Sequence, residues 1–253
     1  MPTSVAIIPA RWASSRFPGK PLASIQGKPM IQWVVEKARS AKLVSEVIVA
    51  TDDQRILDAV SSFGAKGVLT SCDHPSGTDR IAEVAASIDC DFIVNVQGDE
   101  PLIPPENIDL VLQPLLTDRS VKVSTLMTRI RKVENIFDPN IVKVVVDHQG
   151  YDLYFSRAPI PFNRDEWDNI YLREKKGSLD FPAYRHVGLY AYSKDFLMGF
   201  SRLSSSSLES VEKLEQLRIL ENGFCIKVME TDRSSIGVDC PEDLLIVERL
   251  LGV

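Results

Sequence analysis

Val5-Ala-Ile-Ile8 is an unbroken apolar run rich in β-branched residues, the pattern of a buried strand. From Pro29 to Ala41 the period changes. Met30, Val34, Ala38 and Ala41 fall at helical spacing, with Ile31 and Val35 beside them. Val47–Ala50 predicts a second strand, Gln54–Phe63 a helix stopped by Gly64, and Val68-Leu69 a short strand. A helix follows from Ser76-Gly77-Thr78 to about Ile88, with Thr78 as its expected N-cap. Next come a strand over Phe92–Val96, a helix opened by Pro104-Pro105, and a strand over Val121–Thr125. Strands alternating with helices across short loops predict βαβ units and a largely parallel sheet.

Beyond residue 130 the pattern changes character. Val142–Val146, the turn Asp147–Gly150 and Tyr151–Phe155 predict an antiparallel hairpin. Phe162 to Ala183 is polar, and no chemistry is read from it. Arg185–Tyr192 predicts a strand that puts His186 and Tyr190 on one face. Ser206 and Glu209 form a capping-box pattern, opening one helix with the apolar stripe Leu208, Val211, Leu214, Leu217 and Leu220. Phe224–Met229 predicts a late strand, and Pro241 opens the last helix, which Asp239 is placed to cap. The fold class is therefore α/β: a mixed, mostly parallel sheet flanked by helices, with a smaller hairpin-containing subdomain. The chain reads as a single domain over 1–253, with halves dividing near residue 130.

In open α/β sheets ligands bind beyond the carboxyl ends of the strands, so the loops there are the place to look. The loop after Ile8 carries Arg11, Arg16 and Lys20, and the first acidic residue of the chain is Glu36. This local excess of cations stands within a chain of net charge -6. Such a loop suits a polyanion such as a triphosphate. It reads equally well as a solvated basic loop. It is not a Walker loop, because Ser14 stands where the first glycine belongs and Pro21 follows Lys20. The three spaced glycines of a dinucleotide fingerprint are also missing.

Asp99 follows Gly98 at the end of the strand through Val96 and suits either a turn or a magnesium ligand, since magnesium takes one or two carboxylates plus substrate phosphates. Arg157 can pair a carboxylate bidentately or serve in a structural ion pair. The acidic balance, with pI near 5.2, argues against general nucleic-acid binding. Four cysteines without C-x-x-C spacing read as buried hydrophobes of a reducing compartment. With no signal-peptide pattern and no membrane-length apolar run, a cytoplasmic protein is expected.

Seven stretches in order resemble one family. Ile8-Pro-Ala-Arg11 with Ser15-Arg16-Phe-Pro-Gly-Lys20-Pro-Leu resembles the nucleotide-binding loop of sugar nucleotidyltransferases with a GT-A-like fold, and among them the CMP-KDO synthetases. Asp73-His-Pro-Ser76-Gly77-Thr78-Asp-Arg80, Val94-Asn-Val-Gln97-Gly-Asp99-Glu-Pro and Phe155-Ser-Arg157-Ala follow. Arg185-His186-Val-Gly-Leu-Tyr190, Leu214-Glu215-Gln216-Leu-Arg218 and Gly237-Val-Asp239-Cys-Pro-Glu-Asp243 complete the set. The resemblance implies a cytidylyltransferase that activates KDO, an acid sugar, with CTP for lipopolysaccharide synthesis, giving CMP-KDO and pyrophosphate.

It implies nucleotide binding by Ala10, Arg11, Ser15, Arg16, Lys20, Ser76, Gly77 and Asp99, with Lys20, Arg16, Asp99 and Asp239 catalytic. It implies Mg2+ on Asp99 and Asp239. The sugar falls to Gln97, Arg157, His186, Tyr190, Glu215 and Gln216, and a homodimer is expected through the second half. Without the resemblance, Glu215 and Gln216 read as exposed helix residues. Ser71 departs from the family pattern, which often has arginine there. Two other readings stand beside this one: a cytidylyltransferase for another acid sugar, such as sialic acid or amino-KDO, and a non-catalytic nucleotide-binding protein. The second would need neither Asp99 nor Asp239.

Overall fold

The structure, a computed structural model, describes residues 2–13, 17–164, 167, 179, 181–233 and 235–252. The chain forms two compact units, each discontinuous in sequence. The first holds Met1–Lys122, Leu189–Ser201 and Arg233–Val253; the second holds Val123–Gly188 and Arg202–Asp232. The sequence pattern suggested one boundary near residue 130. Two later segments instead return to the first unit.

In chain order the first unit begins with β1 (Ser4–Ala10), a 3-10 turn (Lys20–Leu22), the short strands β2 (Ser24–Ile25) and β3 (Lys28–Pro29), and helix α1 (Met30–Arg39). It continues with β4 (Glu46–Thr51), α2 (Gln54–Ser62), β5 (Lys66–Leu69), α3 (Gly77–Ala86), β6 (Phe92–Asn95) and α4 (Pro105–Thr117). The second unit adds β7 (Val123–Arg129), α5 (Val133–Phe137), β8 (Lys143–Val146) and β9 (Asp152–Ser156). Strand β10 (Tyr184–Ser193) begins in the second unit and ends in the first, followed by α6 (Lys194–Phe200). The second unit then takes α7 (Ser207–Glu212), α8 (Gln216–Glu221) and β11 (Lys227–Glu230), and α9 (Pro241–Leu250) closes the first.

β1 is central in its unit, parallel to β4 on one side and β6 on the other. Ala6, Ile7 and Ile8 are wholly buried, as a strand covered on both faces must be. β5 extends the parallel edge beyond β4. The end of β10 pairs antiparallel with β6, which makes the sheet mixed. Register fixes what meets at the carboxyl ends. Ala10 pairs with Thr51, and Ile7 with Asn95. The chain therefore leaves β1 beside Asp52 and within reach of the turn after β6.

The C-terminal segment is tied to this frame by apolar packing. Val238 and Val247 are wholly buried with Ile25 and Met30, and Trp33, Leu102 and Leu244 pack around them. Burying a valine contributes roughly 1.5–3 kcal/mol, so two of them anchor the segment well.

In the second unit β8 and β9 form the expected antiparallel hairpin, and β7 runs parallel to β11. Its core joins Ile130, Ile136, Ala183 and Trp167, with Phe137 and Phe181 packed on the indole. The stretch Phe162 to Ala183, polar by composition, thus contributes apolar anchors, although most of its residues lie outside those described. The single helix expected after Ser206 is broken in two. Lys213 adopts a left-handed conformation, φ 54 and ψ 47, and ends α7. Val211 is left exposed while Leu214 and Leu217 are buried, so the apolar stripe is not continuous. Among the described residues no helix is long and apolar enough to cross a membrane.

Candidate active site

The cleft lies in the first unit, above the carboxyl ends of β1, β4 and β6. It encloses about 540 Å³, with Arg11, Lys20, Ser76, Arg80, Gln97, Asp99 and Asp239 on its walls.

Its first wall is the loop after β1. Gly19 sits at φ 71, a conformation that glycine adopts without a Cβ penalty. Its N–H donates to the Trp12 carbonyl at 3.1 Å. A Cβ there would lie 3.0 Å from the Trp12 ring. The Arg55 guanidinium also lies over that ring, 3.4 Å from its centroid, and is itself paired with Asp53. Trp12 is thus held between a glycine and a cation, and the turn that follows carries Lys20.

The second wall is the turn after β6. A Cβ on Gly98 would fall 2.7 Å from the Pro9 carbonyl oxygen, closer than real contacts allow. Only glycine lets this turn press against the end of β1, and Asp99 follows directly. The Asp99 carbonyl accepts the N–H of Val238 at 2.8 Å. That bond draws the C-terminal segment, already buried at Val238, into the cleft.

Three predicted residues converge as a result. Lys20 Nζ donates to Asp99 Oδ2 at 2.7 Å and to the Val238 carbonyl at 2.8 Å. It lies 3.8 Å from Asp239 Oδ1. Asp239 does not cap the last helix. The cap is Cys240, whose capping-box partner is Asp243. The Asp243 carboxylate accepts from the backbone N–H groups of Asp239 and Cys240, and these bonds hold it below the usual carboxylate range. The start of α9 therefore fixes the Asp239 backbone and leaves the capping work to its neighbours.

The third wall is the start of α3. Ser76 is the N-cap, accepting the Asp79 N–H, while the expected cap Thr78 lies buried two positions further on, inside the helix. Arg80 follows Ser76 by four positions and is buried. Its guanidinium pairs with Asp52 at 2.8 Å and also donates to the Thr70 hydroxyl. Asp52 accepts the Trp12 N–H at 3.4 Å, so one carboxylate at the end of β4 ties the first loop to α3. Within α3, Glu83 accepts the Ser71 N–H and contacts His74 from the loop before the helix, and the latter contact is the main cause of its lowered pKa.

A cytidylyltransferase family model matches residues 5–232. The chain belongs to the cytidylyltransferase family. It is 57% identical over 246 residues to a 3-deoxy-manno-octulosonate cytidylyltransferase of Geotalea uraniireducens, covering 97% of this chain and 98% of that one. A protein of the same name from Solibacter usitatus is 51% identical over 251 residues, 99% of this chain and 95% of that one. Among solved structures, a CMP:2-keto-3-deoxy-manno-octonic acid synthetase complexed with CTP superposes with a TM-score of 0.90 at 42% identity, covering 98% of each chain. A 4-diphosphocytidyl-2C-methyl-D-erythritol synthase from Anaerococcus prevotii, at TM-score 0.61 and 16% identity with 100% and 99% of the chains covered, shares the fold.

The remaining predicted residues of this cytidylyltransferase are distributed as follows. Ala10 is buried at the end of β1, and Arg11 is exposed just beyond it. Ser15 and Arg16 lie outside the described residues. Gln97 and Tyr190 belong to the first unit, whereas Arg157, His186, Glu215 and Gln216 belong to the second. Arg157 donates through Nε to the Glu212 carbonyl at 2.7 Å, through Nη1 to the Pro139 carbonyl at 2.9 Å, and through Nη2 to the Lys213 carbonyl at 3.5 Å. Its backbone N–H goes to the Glu212 carboxylate. The His186 ring stands edge-on to Phe155, with Nε2 2.9 Å from the Thr125 hydroxyl. Burial pushes its pKa down to about 3, so it is a neutral hydrogen-bonding group. Gln216 is buried, not exposed as its helix position suggested.

Sequence reasoning left Asp52, Arg80 and Trp12 without roles. The signals were present: Asp52 is the first residue after a strand's carboxyl end, and Arg80 is four positions from the helix cap. The cysteines also depart from expectation. Only Cys90 is buried, Cys72 and Cys225 are exposed, and Cys240 starts a helix.

Proposed function

We propose that this cytidylyltransferase transfers a cytidylyl group from CTP to KDO, releasing pyrophosphate. The observation that carries the reading is the meeting of Lys20, Asp99 and Asp239 at one cleft, in a chain so similar throughout to proteins of that named activity. The anomeric hydroxyl of KDO forms a bond to the α-phosphorus, the bond to the β-phosphate oxygen breaks, and the hydroxyl proton passes to solvent. Lys20, Arg11 and Arg16 offset charge on the departing pyrophosphate. Ser76, Gly77 and the helix start behind them bind the cytosine edge. Gln97, Arg157, His186, Tyr190, Glu215 and Gln216 bind the sugar, with His186 acting as a neutral hydrogen-bonding partner.

Asp99 and Asp239 fit a magnesium ion. Both carboxylates already approach a single cation, the Lys20 ammonium. Among the described residues no group of three or more His, Cys, Asp or Glu gathers for a metal. Two carboxylate oxygens would suit a hard ion such as magnesium, which takes one or two carboxylates beside substrate phosphates. When bound, that ion supplies Lewis-acid polarisation of the phosphoryl oxygens. A cytoplasmic homodimer serving lipopolysaccharide synthesis completes the reading.

Pyrophosphate release with magnesium and CTP, comparing KDO with a sialic acid, tests it. Release with KDO alone is expected. Release with the sialic acid alone would move the acceptor to another acid sugar. Silence with both would overturn the transferase reading.

A further inference from the structure

Lys20 enters the proposed mechanism as a cation for phosphates, yet its side chain faces the carboxylates. Its ammonium has three N–H donors. Two are on Asp99 Oδ2 and the Val238 carbonyl, and Asp239 Oδ1 lies 3.8 Å away. The lysine side chain is 14% exposed, against 34% for Asp99 and 57% for Asp239. The cation therefore sits inside and the carboxylates stand toward the mouth. Without it, two like charges would face each other across the turn that Val238 closes.

Building on the magnesium reading above, we propose that Lys20 is a built-in counter-ion of the Asp99–Asp239 pair, so that divalent metal enters with the triphosphate and not before it. A metal ion arriving alone must displace an ammonium already hydrogen-bonded to a carboxylate and a carbonyl. With Lys20 in place part of the negative charge of the two carboxylates is already offset, so a lone cation is attracted less strongly. A triphosphate changes the balance by offering Lys20 anionic oxygens of its own. The lysine stem is flexible and its three donors rotate freely, so the ammonium can turn to them. The carboxylates that Lys20 leaves are then available to the metal. Coupling of this kind is reciprocal: nucleotide strengthens metal binding and metal strengthens nucleotide binding by the same factor.

The test is Mn2+ binding, followed by the electron paramagnetic resonance of free Mn2+, with and without CTP and with no acid sugar present. Without nucleotide, Lys20→Met should bind Mn2+ about tenfold or more tighter than the wild type, within the usual range of coupling factors. Lys20→Met with Asp99→Asn should lose that gain. Equal Mn2+ affinity in wild type and Lys20→Met would overturn the counter-ion role. The metal reading would survive that result if Asp99→Asn still weakens Mn2+ binding in the presence of CTP. If Asp99→Asn leaves that binding unchanged, the metal reading fails and the proposal falls with it. The wild type gives a second measurement that needs no variant. The 15N-labelled Lys20 ammonium resonance should move when Mg2+ and CTP are added together and stay in place with Mg2+ alone. Movement with Mg2+ alone, or none with both, would overturn the proposal.

Discussion

Lys20 in the first unit and Lys143 in the second are both withdrawn from solvent, and each has its ammonium surrounded by oxygen. The oxygens differ. Lys20 faces the side-chain carboxylate of Asp99, the Asp239 carboxylate and one carbonyl. Lys143, wholly buried, donates to three main-chain carbonyls: Asp138 at 2.8 Å, Ile141 at 2.6 Å and Arg157 at 2.6 Å. A carboxylate has other cations to choose from, so its bond to lysine can be exchanged. A buried carbonyl in a folded loop has no alternative partner and costs free energy when left bare. Lys20 is therefore built for exchange and Lys143 for permanence. Arg157 lies nearer the second kind, since three of its five guanidinium donors hold carbonyls. Burial opposes the charge on Lys143 and lowers its pKa, with the Asp138 charge acting in the other direction.

The largest effect should come from the exchangeable side. Asp99→Ala should reduce pyrophosphate release on the order of a thousandfold or more, because it removes a carboxylate from the charged centre. Circular dichroism should show the fold retained. Near-normal turnover would place Asp99 with the structural residues and erase the contrast.

Lys143→Met should act in the opposite way. Stability in urea unfolding should fall by about 3 kcal/mol, since carbonyls that accepted from a charged donor are left buried. CTP binding by the folded variant should change little, because Lys143 lies outside the first unit. A large loss of CTP affinity with stability intact would break the division.

The smallest effect concerns a buried carboxyl group of the second unit, Asp152. Asp152 is buried; its Oδ1 accepts the Ile226 N–H, and burial raises its pKa to about 6 from 3.8. A group with a raised folded pKa stabilises fully below its unfolded value and loses that contribution as pH rises through the folded one. Stability from this residue should thus decline between pH 4 and 6. Asp152→Asn keeps the acceptor for Ile226 and should be about 2–3 kcal/mol more stable at pH 7, since a tenfold change in proton affinity is worth about 1.4 kcal/mol. Its advantage should vanish near pH 4. Unfolding curves at the two pH values decide it, and a pH-independent difference would exclude the linkage.

Much of the fold was legible because short-range patterns act locally. The β1 run, the helix at Met30, the hairpin of β8 and β9 and the placement of Asp99 after a strand all follow from period and turn chemistry. The misreadings share one cause. Thr78 and Asp239 are good capping residues, but Ser76 and Cys240 took the caps because packing fixed where each helix begins. The stripe after Ser206 suggested one helix, but Lys213 turned left-handed and sent Leu214 into the core.

What the sequence determined by itself was the order of strands and helices, the cationic loop after β1, and the family. Those depend on neighbours within a few positions or on motifs read in series. Only the tertiary structure decided which oxygen each buried cation would face. Lys20 and Asp99 are 79 positions apart, and Lys20 and Val238 are 218 apart. Nothing in the local pattern of either lysine separates an exchangeable ion pair from a fixed brace. That difference arises when parallel register brings the strand ends together and Val238 is buried among Ile25 and Met30.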